Sequence, residues 1–146
     1  LKRANSTLKI ILENMKLENI GFTKSWEFNE RHYGSLTGLN KSEMKEQLGE
    51  EKIKIYRRSW DIAPPELSED SEFNPRNDII YQGINVDAIP NTESLKDTYD
   101  RVIPYFNINI RPKILAGKNV IIAAHGNSLR ALCKLLFNIL MKILIN

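Results

Sequence analysis

Three groups of residues in this chain have the types and spacing to do chemistry. The first is His125-Gly126-Asn127-Ser128, which follows the apolar run Val120-Ile121-Ile122-Ala123-Ala124. A histidine leaving a strand stands where open α/β sheets gather their ligands, with the free N–H groups of the following helix pointing outward. A protonated imidazole with backbone donors beside it suits a phosphoryl or carboxylate group. The plainer alternative is a histidine that merely ends a strand. The second group is Asn29-Glu30-Arg31-His32-Tyr33-Gly34. A carboxylate followed by hydrogen-bonding side chains could act as a general acid or base next to an anion pocket, although surface loops hold such mixtures too. The third is Arg57-Arg58, with Lys41 and Lys54 upstream. An arginine fork matches carboxylate or phosphate in two parallel bonds, and the alternative is an ordinary charged helix surface. Arg3 has no support from spacing.

The elements that must position these residues follow from periodicity. Ala4, Leu8, Ile11 and Met15 share one helical face, so residues 1 to about 15 read as a helix. Phe22 to Asn29, with Phe22, Lys24, Trp26 and Phe28 alternating, reads as a strand. Short helices are expected from Asn40 or Ser42 to Gly49, and from about Glu50 to Trp60. Residues 61 to 91 hold Pro64-Pro65, Pro75, Pro90 and Gly83, and read as a long loop, either a surface excursion or a lid over a site.

Thr92 is the expected N-cap of a helix with the apolar stripe Leu95, Tyr99, Val102, Phe106 and Ile110. Pro104 should kink that helix and Gly117 should stop it. Asn119 to Ala124 reads as a strand covered on both faces, and a helix follows from about Leu129. The tail, Leu135 to Ile145, is nearly all apolar. Lys134 and Lys142 interrupt it, so a helix packed on the sheet is expected rather than a membrane span. This alternation argues for an α/β fold.

Bulk composition narrows the function classes. The chain has 146 residues, 42% hydrophobic and 27% charged, as soluble globular proteins do. A net charge of +3 suits a small anionic ligand but is too weak to argue for nucleic acid. Cys133 is the single cysteine, so no internal disulfide can form, which fits a reducing, cytoplasmic setting.

Five blocks carry a family resemblance. They are Leu1–Ala4, Asn29–Lys41, Gly49–Ser59, Pro90–Asp97 and Val120–Ala131. In that order they resemble the cofactor-dependent phosphoglycerate mutases of the histidine phosphatase superfamily. The long Asn-Glu-Arg-His-Tyr-Gly stretch is the most specific, and the match runs from residue 1 to about Ile139. The resemblance implies a three-layer α/β sandwich with a mostly parallel sheet, here as one incomplete domain. It implies interconversion of 2- and 3-phosphoglycerate in glycolysis and gluconeogenesis, primed by 2,3-bisphosphoglycerate and needing no metal. It also implies small phosphorylated three-carbon acids as partners, a homodimer or tetramer, and neither nucleic acid nor membrane. By resemblance Glu30 is the general acid/base toward the substrate hydroxyl and His125 steadies the phosphoryl group. Arg3, Arg31, His32, Tyr33, Lys41, Arg57, Arg58, Gly126 and Asn127 would line the pocket.

Lys41 after Leu39-Asn40, and Leu129 after Asn127-Ser128, look more like the mutase than its sibling bisphosphoglycerate mutase. The pattern also departs from the family. The phosphorylated histidine belongs to an Arg-His-Gly triplet, and neither His32 nor His125 stands in one. The expectation is therefore a fragment, inactive on its own, with a non-catalytic phosphate-binding pseudoenzyme as the alternative from another class.

Overall fold

The computed structural model describes residues 1–137, apart from the side chain of Lys41. Its helices are α1 (Lys2–Asn14), α2 (Lys41–Leu48), α3 (Glu50–Arg58), α4 (Leu95–Tyr105), α5 (Arg111–Leu115) and α6 (Gly126–Phe137). The expected tail helix, Leu135 to Ile145, lies largely outside the described residues.

Local chemistry sets the helix ends. Asn40 accepts hydrogen bonds from the backbone N–H of Ser42 and Glu43, and Glu43 reaches back to the N–H of Asn40, a reciprocal cap on α2. The cap of α4 is Ser94 rather than Thr92. Asp97, three residues on, accepts from the Ser94 N–H, while the Ser94 hydroxyl accepts from the Asp97 N–H. Thr92 instead donates its hydroxyl to the Pro64 carbonyl at 2.8 Å.

Pro104 stands inside α4, which gives way after Tyr105 to a π turn, Phe106–Ile110, and then to α5. Two prolines bracket this junction, Pro104 and Pro112. Neither has an N–H for an i to i−4 bond, so the wider turn re-registers the ladder where the sequence interrupts it. Gly117, at φ 75°, ends α5 with its N–H on Ile114 O and the Lys118 N–H on Lys113 O.

The core lies between α4 and α6. Phe28, Val102, Ile103, Phe106 and Leu132 are buried together, and Tyr99, Tyr105, Ile122, Ala124 and Leu135 pack around them. Each such large side chain contributes about 1.5–3 kcal/mol through burial. The face of α6 that meets α4 therefore fixes where its N-terminus, and with it His125 to Ser128, points.

The expected mostly parallel sheet is not seen among the described residues, where no strand is paired. A strand exists through the hydrogen-bond ladder to a neighbour, and among the described residues neither expected segment has one beside it. Phe22 to Asn29 instead closes into a 3-10 turn, Trp26–Phe28, which buries Phe28 and leaves Phe22 exposed. Residues 119–124 are irregular, and among the described residues only one side is covered. Ile122 and Ala124 lie on the core, while Val120 and Ile121 face outward. The helix after His125 begins at Gly126, earlier than Leu129, because the His125 carbonyl already accepts from the Leu129 N–H.

The long loop 61–91 is a packed excursion of 3-10 turns. Its Pro65 carbonyl accepts from Ser35 N at 2.9 Å, and its Tyr81 is buried beneath Asn29 and His32. Gly34 makes this close approach possible. It adopts φ 54°, and a Cβ there would stand 2.1 Å from the Pro65 carbonyl oxygen.

Candidate active site

Glu30 and His125 belong to segments that α6 brings together. The Asn127 amide nitrogen, in the first turn of α6, donates to Glu30 Oε1 at 2.9 Å and also meets the Tyr33 hydroxyl at 2.9 Å. Ser128, fully buried beside it, donates its hydroxyl to the Asn29 carbonyl, so the same helical turn grips the loop by side chain and by backbone. Glu30 Oε1 also accepts from the Arg31 N–H at 2.9 Å.

His125 is 6% exposed, which makes its two ring nitrogens a matter of accounting. Arg3 Nη2 lies 3.2 Å from Nδ1. Guanidinium can only donate, so Nδ1 accepts and a neutral ring carries its proton on Nε2. That Nε2 is buried with no partner among the described residues. Burial pushes the imidazole below its ordinary pKa; nearby Glu30 opposes this and Arg3 adds to it. A buried donor without a partner costs about 1–3 kcal/mol. Such a cost is repaid when the group meets an anionic oxygen.

Cations surround this pair. Arg130, one turn after Asn127 on α6, places Nη1 3.5 Å from Asn127 Oδ1. Its guanidinium is held below its ordinary pKa by burial first and then by the nearby Arg58, while Tyr33 and Glu30 act the other way. Two like charges drawn to one place beside a carboxylate suit a shared anion. Sequence reading missed Arg130, although its i,i+3 relation to Asn127 was a usable signal.

The remaining expected residues are placed as follows. Arg31 is buried under the site, its Nη2 donating to the Tyr56 carbonyl at 2.6 Å and its guanidinium carbon 4.4 Å from the Tyr33 ring centre. Burial lowers its pKa, and its Nε lacks a partner among the described residues. Arg57 and Arg58 stand exposed in the last turn of α3, and Lys41 opens α2. Gly126 is exposed at the first position of α6. His32 turns away from this cluster: Nδ1 meets Glu93 Oε2 and Nε2 meets the Tyr81 hydroxyl, each at 2.9 Å. Both ring nitrogens are thus engaged within the protein.

A carboxylate, an imidazole N–H and several guanidinium groups around a helix N-terminus have the chemistry to hold an anion. The family model for the histidine phosphatase superfamily (branch 1) matches residues 1–84, and the chain belongs to that superfamily. It is also similar to bacterial proteins named 2,3-bisphosphoglycerate-dependent phosphoglycerate mutase. The one from Pelagibacter ubique is 52% identical over 94% of this chain and 57% of its own length. That from Lachnoclostridium phytofermentans is 55% identical over 93% of this chain and 55% of its own, and that from Nautilia profundicola 52% over 92% and 58%. The chain thus spans a little over half the length of these relatives.

Proposed function

We propose that this chain carries the acid/base half of a 2,3-bisphosphoglycerate-dependent phosphoglycerate mutase site, which interconverts 2- and 3-phosphoglycerate. The observation that supports this most is the meeting of Glu30 with Asn127, 97 residues away, beside the partnerless Nε2 of His125. Glu30 is the general acid/base for the substrate hydroxyl, oriented through Asn127 and the Arg31 N–H. His125 presents Nε2–H to a phosphoryl oxygen, with Arg3 fixing the ring's tautomer from the other side.

Arg3, Arg58 and Arg130, with the N-terminal turn of α6, offset the charge of phosphate and carboxylate, and Tyr33 holds Asn127 in place. Arg57 adds to the cationic rim in this reading, and Lys41 is proposed as a pocket residue on the family resemblance alone. The same donors suit 2,3-bisphosphoglycerate, which supplies a phosphoryl group when bound. Charge neutralisation falls to guanidinium and N–H groups, so the reading requires no metal.

The chain as it stands does not complete a phosphoryl relay. A relay through a histidine needs a ring nitrogen free to attack. His32 has both nitrogens engaged, and His125 offers a proton rather than a lone pair on its partnerless side. No helix among the described residues is long and apolar enough to cross a membrane. A cytoplasmic location and a homo-oligomeric state belong to the same proposal.

Calorimetric titration with 3-phosphoglycerate tests the binding half. Binding that weakens at least tenfold in Asn127→Ala, and weakens with added salt, is expected. Absent binding in a folded chain, or equal binding by the variant, would sink the reading.

A further inference from the structure

Against the segment that carries Glu30 lies a buried ion pair that the proposed chemistry does not use. Glu93 is 1% exposed and precedes α4; Arg101 stands two turns along that helix. Glu93 Oε1 accepts from Arg101 Nε at 2.7 Å, and Oε2 accepts from Arg101 Nη2 at 2.8 Å, a two-pronged pairing. The same Oε2 accepts from the His32 backbone N–H and from His32 Nδ1, each at 2.9 Å. In return the Glu93 N–H donates to the His32 carbonyl at 2.8 Å. Arg101 then reaches forward, donating Nη1 to the carbonyls of Glu27 at 2.6 Å and Trp26 at 3.2 Å.

The bonds also have a direction. A carboxylate only accepts, so His32 Nδ1 carries a proton; a ring with no second proton then accepts at Nε2 from the Tyr81 hydroxyl. Tyr81 in turn accepts from the Asn29 side-chain amide at 3.0 Å. With a singly protonated ring the donor order runs Asn29, Tyr81, His32, Glu93, and Arg101 closes it.

We propose that Glu93 and Arg101 are positioning residues: they clamp the segment from Trp26 to His32 on both sides of Glu30 and so aim its carboxylate at Asn127. Neither touches Glu30. The backbone before it is held by Arg101, and the backbone after it by Glu93, so both ends of the stretch that carries Glu30 are fixed. A buried ion pair is seldom retained for stability alone, because well-packed apolar residues serve as well. What apolar residues cannot do is fix a tautomer and a backbone register together. The importance given to Glu30 rests on the function proposed above; the clamp itself does not.

The experiment uses the full chain without any ligand, in Glu93→Gln and Arg101→Lys. Two nitrogen NMR signals are read: the side-chain amide of Asn127, which bridges Glu30 and Tyr33, and the ring nitrogens of His32. In the unmodified chain His32 should show the less common Nδ1–H form. Glu93→Gln should lose that form, and both variants should shift or split the Asn127 amide signal, although neither substituted residue contacts Asn127. A merely stabilising ion pair would lower the melting temperature and leave the Asn127 signal in place, which would overturn the proposal. An Nε2–H form of His32 in the unmodified chain would overturn it as well.

Should both variants fail to fold, Glu93→Asp keeps the charge and draws the carboxylate back from His32 and Arg101. An unmoved Asn127 signal there would be equally fatal, and a moved one supports the clamp. Since no substrate enters these measurements, failure of the chain to bind 3-phosphoglycerate would sink the functional reading and leave this result standing.

Discussion

Acid should unfold this protein through Glu93 before most other carboxylates matter. Burial alone would raise the pKa of this group. The hydrogen bonds from His32 and Arg101, together with the Arg101 charge, outweigh burial and hold it at about 2, against 4.5 for an ordinary glutamate. A depressed carboxylate pKa means that the native state binds its proton less readily than the unfolded state does. The stability it contributes is therefore present above about pH 4.5 and lost as pH falls toward about 2.

At about 1.4 kcal/mol per unit, a gap of this size corresponds to about 3 kcal/mol. Against a typical domain stability of about 5–15 kcal/mol, that is a large share. Urea midpoints followed by circular dichroism between pH 6 and pH 2.5 should fall steeply below pH 4.5. In Glu93→Gln the part of that fall due to this one carboxylate should vanish, although the variant starts from a lower plateau. Parallel pH profiles for the two proteins would refute the assignment of acid lability to Glu93.

Other outcomes follow from the same geometry. Gly34→Ala should destabilise the chain by about 2–4 kcal/mol in denaturant melts, since a Cβ would collide with the Pro65 carbonyl at a positive φ. Leu132→Ala should cost about 2–5 kcal/mol by the same measure, because that side chain fills the seam between α4 and α6. Arg130→Ala should weaken 3-phosphoglycerate affinity about tenfold in calorimetry with little change in melting temperature, as expected for a charge-assisted bond of about 1.5–3 kcal/mol. Incubation with 2,3-bisphosphoglycerate followed by mass spectrometry should find no phosphate on His32 or His125, and a coupled assay should find no turnover.

Helices were legible in the sequence because their signals are local. The stripe Leu95, Tyr99, Val102, Phe106 buries α4, and Asn40 with Glu43 caps α2 within a few residues. Where two caps competed, the Asp97 partner three residues after Ser94 decided against Thr92. Strands were not legible in the same way, since alternation in Phe22 to Phe28 says nothing about whether a neighbour supplies the ladder. The candidate residues Glu30, Asn127 and His125 were readable as types, but the orientation of His32 was not. Its partners Glu93 and Tyr81 lie 61 and 49 residues away, and nothing local distinguishes an inward imidazole from one facing a ligand. Nothing local in the sequence marked Glu93.

The 97-residue separation between Glu30 and Asn127 has a consequence for the order in which the molecule assembles. Closing a chain of that length costs about 4 kcal/mol of entropy by the logarithmic rule, before any single contact across it gives a return. The helices, and the neighbouring α4 and α6 within them, need far shorter closures and can form a nucleus early. One hydrogen bond between an amide and a carboxylate cannot carry a closure of that size. The site can close only after Phe28 has docked on α4 and Ser128 on Asn29, late on the path. Changes at Glu30 or Asn127 should then act mainly on the unfolding rate, while changes at Val102 or Leu132 slow folding itself. The chemical groups are the last part of this protein to find one another and the first to come apart.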